Sequence, residues 1–218
     1  MTALEVADPL AMKDLAAFTS MAHRLDADGA MRLHVSSTVL VVTVAPLYPH
    51  GIGDSTPLVL AMRMLRLRGP EMDGFDEVVP LSNLMDRFAR EENGTTLPVP
   101  PNPVLVSWSG IAPPKSRWLS VDSIPVHQLR SAAEAGVEEI SAGSPEGAGS
   151  QAVRSLRARV WSRPMEAAGG TKLPASMAFA AEGLRFLPGD STDLEVMEST
   201  GWLRLVSPGG HLLTRTRV

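Results

Sequence analysis

The sequence predicts an α+β fold: a mainly antiparallel sheet covered by about four helices, with a C-terminal β-hairpin. Three observations carry this. Apolar residues recur at helical spacing in 11–25, 81–91, 125–139 and 175–187. Runs rich in β-branched residues alternate in and out over 31–45 and 58–68, with a shorter run at 104–108. The turn Ser207-Pro208-Gly209-Gly210 divides 202–217 into two halves of strand character.

In chain order, 11–25 places Leu15, Phe18, Thr19, Ala22 and Leu25 on one helical face, ended by Asp26, Asp28 and Gly29. Residues 31–45 read as a strand, with a break at Ser36-Ser37. Residues 58–68 have helix brackets at Thr56-Pro57 and Gly69-Pro70. Strand is preferred because Val59, Ala61, Leu65 and Leu67 share a side, so this run should pair with 38–45. Leu81, Leu84, Met85 and Phe88 face inward from the next helix. Four prolines make 97–103 extended loop or edge. Val126, Leu129, Ala132, Ala133 and Val137 mark the third helix. Residues 153–161 alternate imperfectly and are assigned to a strand. Ala178, Ala180, Ala181 and Gly183 let the helix at 175–187 approach other backbones closely, which places it in the core. Residues 192–200, opened by the capping-box pair Thr192 and Glu195, read as a short helix.

Composition bounds the function. A chain of 218 residues forms one large domain or two small ones and can bury about 70% of its unfolded surface. Aromatics are only 5%, so Leu, Val, Ala and the eleven Met fill the core. Absence of Cys excludes disulfides, thiolate metal sites and cysteine nucleophiles. The start carries no signal-peptide pattern, and the apolar run 39–47 is too short to span a bilayer. A cytoplasmic location with no membrane partner is expected.

Charge is unevenly divided. Residues 1–150 hold 11 Lys+Arg against 18 Asp+Glu, and residues 151–218 hold 9 against 6, giving −7 and +3 of the total −4. The change falls at a run poor in apolar residues. The expected organisation is an α+β main domain over 1–140, a flexible linker or loop over 141–151, and a basic C-terminal subdomain over 152–218 that completes the same sheet.

One element repeats. Val78-Val79-Pro80-Leu81-Ser82-Asn83-Leu84 returns in outline as Ser123-Ile124-Pro125-Val126-His127-Gln128-Leu129. Proline presets φ for the first helical turn and lacks an N–H that would have no partner there. The apolar neighbours dock each helix start on the sheet.

No catalytic residue, cofactor or metal ligand is assigned. Asp26-Ala27-Asp28-Gly29 lacks the later ligands of a calcium loop and reads as a helix end. Gly51-Ile52-Gly53-Asp54-Ser55-Thr56 lacks the Lys of a phosphate cradle and reads as a turn. The segment 108–118 is the most unusual in composition, with two of the four Trp flanking Pro113-Pro114, Lys115 and Arg117. Such loops favour binding surfaces; the alternative is that its Trp residues fill gaps in an aromatic-poor core. The candidate binding residues are Trp108, Lys115, Arg117, Trp118, Arg204, His211, Arg215 and Arg217.

The stretches 108–118 and 201–215, with Arg outnumbering Lys 17 to 3, give the chain a layout that resembles an uncharacterised conserved protein family of actinobacteria. The resemblance implies lineage and a cytoplasmic location and no activity.

The leading expectation is a non-enzymatic interaction or regulatory module with a protein partner. It would use the Trp/Pro/Arg loop and the basic C-terminal hairpin. A small-molecule enzyme using Asp76, Asp122 and His127 between the two Pro-led helix starts is the alternative. A nucleic-acid partner is possible but disfavoured. The order helix, helix, hairpin over 175–217 suits a winged helix and Arg154, Arg157, Arg159 and Arg163 lie upstream, yet the would-be reading helix carries Asp193, Glu195 and Glu198.

Overall fold

The computed structural model of the chain describes residues 2–90, 94–144 and 149–216. They divide into two compact units, Met1–Pro46 with Met62–Ile111, and Leu47–Ala61 with Ala112–Val218.

The first unit contains β1 (Ala3–Glu5), α1 (Pro9–Leu25), β2 (Ala30–Ser36), β3 (Val39–Leu47), the later part of β4 (Val59–Arg66), β5 (Asp76–Pro80), α2 (Leu81–Arg90) and β6 (Thr96–Pro98). Its sheet order is β5-β2-β3-β4, and β1 pairs separately with β6. Helix α1 starts where Asp8 accepts a hydrogen bond from the Ala11 N–H at 2.9 Å and Pro9 takes the first turn. It buries Met12, Leu15, Phe18, Thr19 and Ala22. The break expected at Ser36-Ser37 is a hairpin turn, with Ser37 at φ +55°. Across it Met31 faces Val44, Leu33 faces Val42, and Val35 faces Leu40, all buried. The period-2 pattern therefore fixes both register and core face.

The second unit contains β7 (Leu119–Pro125), α3 (Val126–Ala142), α4 (Ser150–Trp161), β8 (Pro164–Glu166), β9 (Lys172–Pro174), α5 (Ala175–Gly183), β10 (Asp193–Ser199), β11 (Trp202–Ser207) and β12 (Gly210–Arg215). Its sheet order is β12-β11-β10-β7, and β8 pairs with β9. Strand β10 lies between β7 and β11, antiparallel to both. The strands after residue 150 thus join a sheet begun before it. As expected, α5 is core: Ala178, Ala180 and Ala181 are fully buried.

The α+β class, the antiparallel pairing, the hairpin at 202–215 and four of the five helices agree with the sequence reading. Three elements differ. Residues 153–161 form helix α4 rather than a strand. Arg, Ala, Leu and Gln are good helix formers, and winding places Ala158 and Trp161 three residues apart against the core. Residues 193–199 form strand β10 rather than a helix, because Leu194 and Val196 alternate inward with Asp193 and Glu195 outward. The capping-box signal is local and gives way to pairing along both edges of the strand. Residues 104–108 are irregular, ending in a turn over 107–110. Within the expected linker 141–151, residues 145–148 lie outside the described residues, as does Glu91 at the end of the expected second helix.

Candidate interaction face

The pairing of β10, β11 and β12 decides which side chains meet on the second unit's sheet. Arg204 stands opposite Met197 on one side and Leu213 on the other, and Trp202 stands opposite Arg215. Since side chains alternate along a strand, Trp202, Arg204 and Val206 share one face with Arg215, Leu213 and His211. The loop before β7 folds onto that face. Ser199 donates its hydroxyl to the Ser116 carbonyl at 3.2 Å, and the Trp118 indole N–H donates to the Pro114 carbonyl at 3.0 Å. The Arg204 guanidinium lies 4.6 Å from the centre of the Trp118 ring, and that of Arg215 lies 5.5 Å from the Trp202 ring. Arg204 also approaches the Met197 sulfur at 2.7 Å.

Four of the predicted residues, Trp118, Arg204, His211 and Arg215, are therefore brought together. Lys115 and Arg117 are exposed on the covering loop, and Arg117 has φ +62°. Arg217 lies outside the described residues. Trp108 is corrected. It belongs to the first unit and is only 3% exposed, so it fills core volume instead of presenting an indole to a partner. A core with few aromatics takes up a large ring readily. The turn that holds it is fixed by Arg32, which donates to the Ser109 carbonyl at 3.1 Å.

The electrostatics of the face are unusual for a surface. Burial lowers the Arg204 pKa, partly offset by the Glu195 charge. Burial, and then the Arg204 charge, lower that of His211, so the imidazole is neutral at pH 7. The Arg204 Nε and His211 Nδ1 atoms are buried without a hydrogen-bond partner.

The carboxylates of the enzyme alternative have structural partners. In the first unit Asp76 takes both arms of Arg32, from Nε at 2.7 Å and from an Nη at 2.5 Å. In the second unit Asp122 accepts the backbone N–H of Thr171, Gly169 and Ser123 at 2.9, 2.7 and 2.8 Å. Those bonds, Thr171 foremost, bring its pKa down to about 2. His127 is exposed on α3. Among the described residues, no group of three His, Asp or Glu is placed to hold a metal ion, and no helix is long and apolar enough to cross a membrane.

The sequence reading missed a cleft in the second unit. Winding 150–161 into α4 puts Gln151, Ser155, Ala158, Arg159 and Ser162 on one stripe with Arg154 beside it. This stripe and the loop 50–55 enclose a cleft of about 740 Å³. A second cleft, of about 850 Å³, shares Asp54, Ser55 and Ser162 with it and is walled by Leu58, Leu173 and Leu203. Asp54 shapes the shared loop, accepting the His50 N–H at 2.9 Å and the Thr56 hydroxyl at 2.6 Å. Burial would raise the Asp54 pKa, but these bonds lower it overall. The available signal was the arginine spacing at 154–163, which a strand assignment scatters over two faces.

Residues 1–110 match the profile of a domain of unknown function, DUF8010, and residues 113–218 match that of a second, DUF8185. The chain belongs to the DUF8010 family. The junction between the two matches falls where the compact units change over, at Ile111 and Ala112. No curated protein matches the chain. Among solved structures, the DUF8010 chain is similar to a provisionally named DNA polymerase III beta subunit from Eubacterium rectale, at 7% identity and TM-score 0.53, covering 98% of this chain and 64% of that one. It is similar to the DNA polymerase sliding clamp of Pseudomonas aeruginosa at 12% identity and TM-score 0.50, covering 98% and 64%. The sliding clamp of Bacillus subtilis gives 11%, 0.50, 98% and 63%. These likenesses are of fold. The chain spans less than two thirds of the length of these structures.

Proposed function

We propose that this chain is a non-enzymatic protein-interaction module, cytoplasmic, that docks a protein partner on the sheet face covered by the Trp118 loop. The observation that supports it most is the gathering of Trp118, Arg204, His211 and Arg215 on one side of β11 and β12, beside exposed Lys115 and Arg117. Trp and Arg are the side chains that most often dominate interface energetics. A guanidinium already stacked and partly desolvated loses less on being covered. The solved structures of similar fold include one named as a subunit of a polymerase, a name that makes it part of a larger assembly. Nucleic acid is the weaker reading of the partner. The helix, helix, hairpin order behind it is absent, and Asp193, Glu195 and Glu198 would repel phosphate along β10.

The test uses the purified chain as bait, identification of the captured protein, and an affinity measurement with both components pure. Trp118→Ala should weaken binding by about 2 kcal/mol, on the order of 30-fold. The exposed pair Lys115→Glu with Arg117→Glu, which leaves the core untouched, should weaken it by about 10-fold and remove its salt dependence. Unchanged affinity in both folded variants rejects this face.

A further inference from the structure

We propose that the two joined clefts of the second unit bind an extended peptide segment in which acidic residues are followed by apolar ones. This site shares Arg215 with the Trp118 face but none of Lys115, Arg117, Trp118, Arg204 or His211. Its first half is cationic. Arg154 is exposed and hydrogen-bonded to neutral Gln151 at 2.9 Å, and Arg159 is exposed further along the same helix. Arg163, also on this wall, is matched by the carboxylate of Glu139. Among the described residues, the acidic residue lining this half is Asp54, whose oxygens are engaged by its own loop. Glu139 also acts on Arg159; among the described residues the three arginines still outnumber Asp54 and Glu139, so the net field at this end is positive and favours carboxylates.

The second half is of another kind. Past the shared Ser55 and Ser162, the walls become Leu58, Leu173 and Leu203 with prolines, and Lys172, Glu198 and Arg215 also line this half. An apolar floor of this sort rewards aliphatic or aromatic side chains by removing them from water. Ile52 stands fully exposed at the tip of the glycine-flanked loop, where Gly53 takes φ +84°. It gives the cationic half an apolar lip. A small anion would use only the first half and an apolar metabolite only the second. A segment of chain, at about 3.3–3.6 Å per residue, reaches along both.

The experiment selects from a phage-displayed library of random twelve-residue peptides on the purified full chain, then measures the affinity of the winning peptides made synthetically. The expected result is enrichment of Asp and Glu on one side of an apolar group. Affinity should fall at least 10-fold in Arg154→Glu with Arg159→Glu, and also with rising salt. A peptide with its acids changed to Lys should regain binding to that double variant. Leu173→Asn tests the apolar half and should cost about as much. Because both arginines are exposed, the charge-reversed chain keeps its fold, which circular dichroism verifies. Lys115→Glu with Arg117→Glu should leave these affinities unchanged, so failure of the Trp118 face and failure of this site are separable. Selected peptides without acidic enrichment, or equal affinity for the parent and the double variant, overturn the proposal.

Discussion

The two units are built on one plan, threaded in different order. In the first, helix α1 is followed by the meander β2-β3-β4, and β5 with its helix α2 adds beside β2. In the second, helix α5 is followed by the meander β10-β11-β12, and β7 with its helix α3 adds beside β10. The strand-and-helix piece comes last in one unit and first in the other. Its junction is the repeat visible in the sequence, Pro80 before α2 and Pro125 before α3. A third copy at Pro174 opens α5. In each, the residue after proline donates its N–H to a backbone carbonyl outside the helix: Leu81 to Gly29 at 2.9 Å, Val126 to Thr192 at 3.0 Å, and Ala175 to Arg163 at 2.8 Å. One orphan donor of each helix is thereby satisfied without a side-chain cap. What differs is the insertion of α4, β8 and β9 between the second unit's helices, and α4 carries the cationic wall of the cleft. The added piece brings a surface chemistry that the shared plan lacks, and whether it also carries stability decides how deep the division runs.

That division can be broken at Trp161. If α4 were an appendage, removing its last side chain would cost little. Instead Trp161 is 1% exposed, its ring centre lies 4.7 Å from that of Phe179 on α5, and it covers Gly136 on α3. A Cβ at Gly136 would lie 2.3 Å from the indole. Trp161→Ala should cost about 3–5 kcal/mol. Gly136→Ala, which pushes the ring out of its seat, should cost about 1–3 kcal/mol. Urea titration of the parent and both variants measures this. A loss below about 1 kcal/mol for Trp161→Ala would make α4 a decoration.

A subtler contrast is held by the two acids near the repeated junctions. Asp76 answers a side chain, Arg32, while Asp122 answers backbone N–H groups of the turn 167–171. The Asp122 pKa is lowered from 3.8 to about 2. A depressed acid adds stability above its unfolded pKa and loses it as pH falls through the folded value. Asp122→Asn should therefore destabilise the chain most at neutral pH, and the difference from the parent should shrink between about pH 4 and pH 2. Amide exchange should report the Gly169 and Thr171 protons freed in the variant. A difference independent of pH over that range would mean that the carboxylate charge is not what holds the turn.

Much of this plan was legible in the residues. The break at Ser36-Ser37, the proline-led helices at 81 and 126, and the turn at 207–210 all follow from local rules that tertiary packing reinforces. The reading lost accuracy where local and tertiary signals conflict. Thr192 and Glu195 look like a helix start, yet Leu194 and Val196 had a strand waiting on each side. Over 153–161 even an imperfect alternation hides a helix, because Gly136, the buried partner of Trp161, is 25 positions upstream of it. Of the candidate residues, 204, 211 and 215 share a sheet face because hairpin register places them together. Trp108 was misplaced because nothing within its own segment records that a core elsewhere lacks ring volume. The cleft could not be seen while α4 was drawn as a strand.

The smallest expected effect sharpens the contrast between two strand histidines. His34 on β2 has the Asp76 carboxylate 3.6 Å from its Nδ1. His211 on β12 has instead a guanidinium for a neighbour, and the Nδ1 of both histidines is buried without a hydrogen-bond partner. Protonating His211 sets a second cation against Arg204, whose own pKa is already lowered despite the Glu195 carboxylate acting on it. Because the folded chain favours the neutral imidazole, His211 adds stability above its unfolded pKa of about 6.5, and that stability is lost as the solution is acidified past it. His211→Gln keeps the shape and removes the titration. Between pH 7.5 and 5.5 the parent should lose stability in urea and the variant should lose less. Parallel losses would show that the proton goes elsewhere, and that the sheet face under Trp118 is more open to water than its packing implies.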